Sequence, residues 1–292
     1  MKVLKFYFIL LLSAIVLILN NDIFPQHTNQ EDYISFTFKS GSSNVYGRFF
    51  KTSSNQPVPT IIMLQGFPGR EDDLFGLGNV LRKEGFNSIT FNYRGSWKSE
   101  GIFSPETSLE DVITLIAFLK SKNISNKFNI DTNRIILLGY SYGSSMALLG
   151  SLVNPSVKKV ISIGTTDWSV FTRLLKSNSK FRKAHQAYLN KVMSDSSVIR
   201  SFGGKETHEW FFAHNDDYNL IKFSGKLSHK QILLIGGWKD YSAKLEDHTI
   251  PLYRALEKHN SENVKIIVYD TDHTFRNVLE KLYRDIISWI KK

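Results

Sequence analysis

A chain of 292 residues with 42% hydrophobic and 13% aromatic content holds enough apolar material for one large folded domain, which excludes a disordered polypeptide. It has no cysteine, so disulfides, thiolate catalysis and cysteine-ligated metals are excluded. The net charge of +10 suits either anionic surfaces and substrates or a simple lysine-rich solvated face; no nucleic-acid motif accompanies it, and a nucleic-acid partner is not expected.

Lys2 and Lys5 precede an apolar run from Phe6 to Leu19, ended by Asn20, Asn21 and Asp22. About 14 apolar residues behind a basic start match a secretory signal core better than a full membrane span of about 20. Residues 1–20 are therefore read as a signal peptide or an uncleaved N-terminal membrane anchor, with the folded domain outside the cytoplasm. A polar linker, 21–32, follows, and the folded domain is expected over 33–292.

Two stretches, Tyr33–Lys39 and Asn44–Lys51, read as a hairpin around "SGSS". Strands and helices then alternate. "TIIMLQG" (Thr60–Gly66) is a strand, "DDLFGLGNVLRKEG" a helix and "NSITFNYRG" (Asn87–Gly95) a strand. The spacing Thr107 to Glu110 predicts a capping box opening the next helix, whose apolar residues Leu109, Val112, Ile113, Ile116 and Leu119 follow helical periodicity. A buried strand (Arg134–Leu138), a small-residue helix (Ser144–Leu152) and the strand Val157–Gly164 come next. From Thr165 to about Lys226 the alternation stops; this basic stretch reads as a helical lid insertion. "QILLIGGWKD", a helix around Glu246–His259, the strand Val264–Asp270 and a helix over Phe275–Ile290 complete the pattern. It implies a mostly parallel sheet with helices on both faces.

Between the strand ending at Leu138 and the helix from Ser144 lies Gly139-Tyr140-Ser141-Tyr142-Gly143, a G-x-S-x-G. A sharp strand-to-helix turn strains the corner residue and needs glycines two positions either side. A serine there becomes a nucleophile only when a base takes its proton, normally a histidine oriented by a carboxylate. Sites in such sheets form beyond the carboxyl ends of the strands. Of eight histidines, His273 lies just past the last strand. Asp240 follows a buried apolar run and a glycine turn; Asp167, after "VISIGTTD", is the runner-up acid. The backbone N–H groups of Tyr142 and Phe67 are the expected oxyanion donors, because Pro68 has none.

"GYSYG", the acid after "LLIGGWKD", the histidine in "TDHTF", "LQGFPG" and "NYRGSWKSEG" together resemble the α/β-hydrolases, from about Tyr33 to the C-terminus. The nearest likeness is to the prolyl-oligopeptidase-like and serine-aminopeptidase-like groups. The resemblance implies an α/β-hydrolase fold with a central sheet of about eight strands and a lid. It also implies hydrolysis of an ester, thioester or amide through an acyl-enzyme on Ser141, His273 and Asp240. The substrate would be a small-molecule ester or a peptide, so a serine peptidase is the alternative to an esterase; a non-catalytic binding protein on this scaffold is the remaining one. No cofactor or metal is implied. One departure is Gln65-Gly66, where the family's oxyanion loop usually begins His-Gly, so the bracing of that loop must differ. Arg94 is expected to orient the same loop region.

Overall fold

The computed structural model describes residues 33–260 and 262–292. The expected leader or anchor (1–20) and linker (21–32) lie outside the described residues, and no helix among the described residues is long and apolar enough to cross a membrane.

The hairpin forms β1 (Ile34–Ser40) and β2 (Ser43–Phe50), antiparallel across a two-residue turn in which Gly41 takes φ 57°. The remaining strands are β3 (Val58–Leu64), β4 (Asn87–Phe91), β5 (Ile130–Tyr140), β6 (Lys159–Ile163), β7 (Gln231–Gly237) and β8 (Val264–Tyr269). They build one eight-stranded sheet in the order β1-β2-β4-β3-β5-β6-β7-β8. β2 runs antiparallel to both its neighbours, and every pairing from β4 to β8 is parallel.

The central strands are apolar at successive positions because both faces are covered. Ile62, Leu64, Leu137, Val160 and Leu234 join one hydrophobic cluster; Ile61, Met63, Leu138, Ile161 and Leu233 join the other. The period of two sends neighbouring side chains to opposite faces. The helices in chain order are α1 (Leu77–Lys83), α2 (Pro105–Lys120), α3 (Lys122–Phe128) and α4 (Tyr142–Val153), then α5 (Trp168–Ser177), α6 (Ser179–Met193) and α7 (Gly204–Ala213), and finally α8 (Ser224–Leu227), α9 (Ile250–Glu257) and α10 (Leu279–Ile290). On the first face α2, α4 and α9 contribute Val112, Leu115, Met146, Leu148 and Leu252; on the second, α1 and α10 contribute Leu77, Leu81, Leu282 and Ile286. Each such side chain, when fully buried, stabilises the fold by roughly 1.5–3 kcal/mol relative to exposure.

Several element bounds differ from the sequence-based expectation, each for a local reason. The helix expected over Asp72–Gly85 is broken: Phe75 and Gly76 both take left-handed backbone (φ 58° and 76°), so a 3₁₀ turn at Leu74–Gly76 precedes α1. The half-buried Asp73 carboxylate accepts hydrogen bonds from the N–H groups of Gly78 and Asn79, and desolvation pushes its pKa up to about 6. α2 starts earlier than Thr107. Ser104 is the cap, Pro105 the first helical residue, and the capping box pairs Ser104 with Thr107 itself. Its hydroxyl accepts from Thr107 N–H at 3.1 Å, while the Ser104 N–H donates to Thr107 Oγ1 at 2.9 Å. The final helix begins at Leu279 after a 3₁₀ turn, because Phe275 is left-handed at φ 54°.

Between β6 and β7 the expected helical stretch is present as α5 to α8. At the heart of α5, α6 and α7 sits a histidine pair. His185 Nδ1 and His208 Nε2 are 2.7 Å apart and the rings stack at 5.0 Å. Phe171, Phe181 and Phe212 pack around them. Burial and then the neighbouring His208 lower the His185 pKa to about 3; burial and then Arg182 lower that of His208.

Candidate active site

Strand register brings the chemistry to one rim. Leu64 pairs with Gly139, Tyr140 with Ile163, Ile163 with Ile235, and Gly237 with Tyr269. The residues that follow β3, β5, β6, β7 and β8 therefore emerge side by side.

Ser141 sits at the corner between β5 and α4 with φ 53° and ψ −119°, backbone that an L-residue holds only when its surroundings enforce it. The flanking glycines make the corner sterically possible. A Cβ at Gly139 would lie 1.9 Å from the Gly143 carbonyl oxygen, and one at Gly143 would lie 2.1 Å from that of Leu64. Hydrogen bonds hold the corner from both sides. The Ser141 N–H donates to the Ile163 carbonyl at 2.9 Å. Its own carbonyl accepts from the Ser144 N–H at 2.9 Å, from the Ser144 hydroxyl at 2.5 Å and from the Thr166 hydroxyl at 2.9 Å.

The structure brings the three sequence-predicted side chains together. His273 Nε2 lies 2.9 Å from Ser141 Oγ, and His273 Nδ1 lies 2.7 Å from Asp240 Oδ2. Asp240 is only 4% exposed. Its second oxygen, Oδ1, accepts from the N–H groups of Ser242 at 2.9 Å and Ala243 at 2.8 Å, so the carboxylate is fixed at both ends. In this geometry Nδ1 carries the proton donated to Asp240, and Nε2 is left to accept from the serine hydroxyl.

Asp167, the runner-up acid, does other work. It caps α5 by accepting from the Ser169 N–H at 2.8 Å, and its own N–H donates to His248 Nδ1 at 3.0 Å. Of the remaining described histidines, His214 stacks on Trp210 and His185 pairs with His208. His27 lies outside the described residues.

The loop after β3 lies against the serine: a Cβ at Gly66 would be 3.3 Å from Ser141 Cβ. Gln65 braces this loop in place of a histidine. It is buried, and its side-chain amide donates to the Asp72 carbonyl at 2.7 Å. The Gly69 N–H closes the turn onto the Gly66 carbonyl at 2.6 Å. Among the described residues, neither the Phe67 N–H nor the Tyr142 N–H has an acceptor. Arg94 does not orient this loop, contrary to expectation. Its guanidinium donates to Asp111 at 2.6 Å, Glu110 at 2.5 Å and the Thr107 carbonyl at 3.1 Å, which pins the end of β4 to α2. Trp97, from the same turn, does reach the loop, its Nε1 donating to the Pro68 carbonyl at 2.7 Å.

Sequence reasoning also missed Tyr140 and Gly164. The Tyr140 hydroxyl donates to the His273 carbonyl at 2.8 Å, with its ring 5.1 Å from the imidazole. Gly164, at φ 56°, leaves room for that imidazole, since a Cβ there would be 3.2 Å from His273 Cε1. Their signal was position alone: one precedes the serine, the other immediately follows β6. No cluster of three or more metal-ligating side chains occurs among the described residues.

Comparison with known proteins agrees with this architecture. The chain is 24% identical over 275 residues to the uncharacterized protein YfhR of Salmonella typhimurium strain LT2, covering 91% of this chain and 83% of that one. Its fold is similar to that of the Pyrococcus furiosus esterase Pf2001, with a TM-score of 0.64 at 17% identity over 89% of this chain and 92% of the esterase. It is similar also to the Pyrococcus horikoshii acylaminoacyl peptidase, with a TM-score of 0.64 at 16% identity over 89% of this chain but only 41% of the peptidase. A family model for the alpha/beta hydrolase fold matches residues 59–277, well over half of the sequence, and the chain belongs to that family.

Proposed function

We propose that this hydrolase is a serine hydrolase that cleaves an ester, thioester or amide through an acyl-enzyme on Ser141. The observation that carries the reading is the continuous relay from Asp240 through His273 to Ser141, with contacts of 2.7 and 2.9 Å. His273 Nε2 takes the hydroxyl proton as Ser141 Oγ attacks the carbonyl carbon. The same nitrogen then returns that proton to the leaving alcohol, thiol or amine as its bond to carbon breaks. Asp240 keeps the imidazole in the required tautomer and stabilises its transient positive charge. The tetrahedral oxyanion is received by the N–H groups of Phe67 and Tyr142. A water activated by His273 then hydrolyses the acyl-enzyme.

The substrate-derived leaving group is set by residues other than this relay, so the test must span leaving groups. Purified protein is assayed on p-nitrophenyl esters of increasing chain length, a thioester, and aminoacyl and prolyl p-nitroanilides, before and after treatment with a fluorophosphonate. Turnover of at least one class is expected, and it should vanish as one phosphonyl group per chain is incorporated. Turnover that survives stoichiometric incorporation, or none on the whole panel, contradicts the reading.

A further inference from the structure

We propose that Trp97 is a positioning residue for the oxyanion loop. Its indole N–H holds the carbonyls that follow Phe67 and thereby fixes the direction of the Phe67 N–H. The inference rests on the reading above in which that N–H receives developing negative charge.

Trp97 Nε1 donates to the Pro68 carbonyl at 2.7 Å and the Gly69 carbonyl at 3.1 Å. Both oxygens belong to the turn that begins at Gly66, against Ser141. The Gln65 amide and the Gly66–Gly69 hydrogen bond hold the ends of this turn; the indole holds its outer carbonyls. Arg70, from the same loop, lies 5.1 Å over the indole ring.

The tryptophan is itself held in a costly shape. Its φ of 46° is left-handed, an outlier for a bulky residue that survives only where neighbours over-determine it. Those neighbours come from the link between α6 and α7. The Trp97 N–H donates to the Val198 carbonyl at 2.9 Å, and the Arg200 N–H donates to the Gly95 carbonyl at 2.6 Å. Ser96 bridges Ile199, and Phe103 bridges Ser201. The Arg200 guanidinium donates to the Ser99 carbonyl. Gly95, at φ 73°, is required where these segments cross, because a Cβ there would be 2.1 Å from the Phe103 nitrogen. The helical stretch between β6 and β7 is thus stitched into the turn after β4, and from that turn the Trp97 indole grips the outer carbonyls of the oxyanion loop.

A brace that only stabilises the fold and one that aims a donor are separable by kinetics. Trp97→Phe keeps the ring and the Arg70 contact but removes the N–H. In folded protein titrated for active sites with a fluorophosphonate, kcat for p-nitrophenyl acetate is expected to fall about 10-fold or more, with KM within about threefold. The inhibition constant of a trifluoromethyl ketone, whose adduct carries the oxyanion, should rise in proportion to the fall in kcat/KM. Trp97→His keeps a ring N–H and should lose less on both measures. If the phenylalanine variant does not fold, the histidine variant decides by whether kcat and ketone affinity fall together. Unchanged kcat in a folded variant, or a fall in kcat without matching loss of ketone affinity, overturns the proposal. A wild-type protein that neither turns over the panel nor takes up the fluorophosphonate would instead refute the Ser141 reading.

Discussion

Replacing Ser141 by alanine is expected to lower hydrolytic turnover by roughly 10⁴-fold or more while the protein remains folded. The two halves of that expectation have separate causes. Catalysis fails because the alanine methyl cannot attack a carbonyl, and the residual rate is only what the oxyanion donors and substrate positioning supply. Folding survives because the corner is built by backbone. The Ile163 carbonyl, the Ser144 N–H and the Ser144 and Thr166 hydroxyls bind the main chain of residue 141, and alanine presents the same main chain. Only the hydroxyl contact to His273 is lost, a change worth about 1 kcal/mol of stability. Steady-state kinetics and a thermal melt on the same preparation check both halves. Turnover reduced less than about tenfold would remove Ser141 from the chemistry.

A second large effect is expected in the pH dependence of stability. The buried pair His185 and His208 is held neutral in the fold, with the His185 pKa lowered to about 3 and that of His208 lowered as well. In the unfolded chain both titrate near 6.5. Below that pH the unfolded state binds protons that the folded state refuses, so stability is full above about 6.5 and is lost as the pH falls. Between about 6.5 and its folded value His185 contributes a slope of about 1.4 kcal/mol per pH unit, and His208 acts in the same direction. Down to a pKa of about 3, the loss from His185 alone reaches about 5 kcal/mol, a large part of an ordinary domain's stability. The charged neighbour bearing on the pair is Arg182, which opposes protonation rather than relieving it. Urea midpoints measured from pH 7.5 to 4.5 should fall steeply for the wild type and much less for the His185→Leu/His208→Leu double variant. Parallel curves would show that the pair does not control acid stability.

What could be read from the sequence follows the range of the interactions involved. The strands β3, β5, β6 and β7 announced themselves because both faces are buried, leaving unbroken apolar runs. The serine corner was legible because the glycines flanking it act on backbone atoms within a few residues. The meeting of Asp240 and His273 was legible because each follows the carboxyl end of a strand, and parallel register carries those ends to one rim. Bounds were less legible where a single left-handed residue decides them, as Phe75 and Phe275 do. The partner of Arg94 was misread because a guanidinium at a strand end can serve either of two neighbours, and packing of α2 placed Asp111 and Glu110 within its reach. Trp97 lies within the stretch "NYRGSWKSEG", but nothing in that stretch sets it apart from its neighbours. Its importance comes from the meeting of two loops with a segment about a hundred residues later, which only tertiary structure reveals.

The proposed chemistry is tested most directly by locating the covalent adduct. Full-length protein treated with a fluorophosphonate is digested and the phosphonylated peptide sequenced by tandem mass spectrometry. The modification is expected on Ser141, with labelling strongly slowed in a folded His273→Ala variant. Modification of a different serine, or labelling of Ser141 at an undiminished rate without His273, would contradict it.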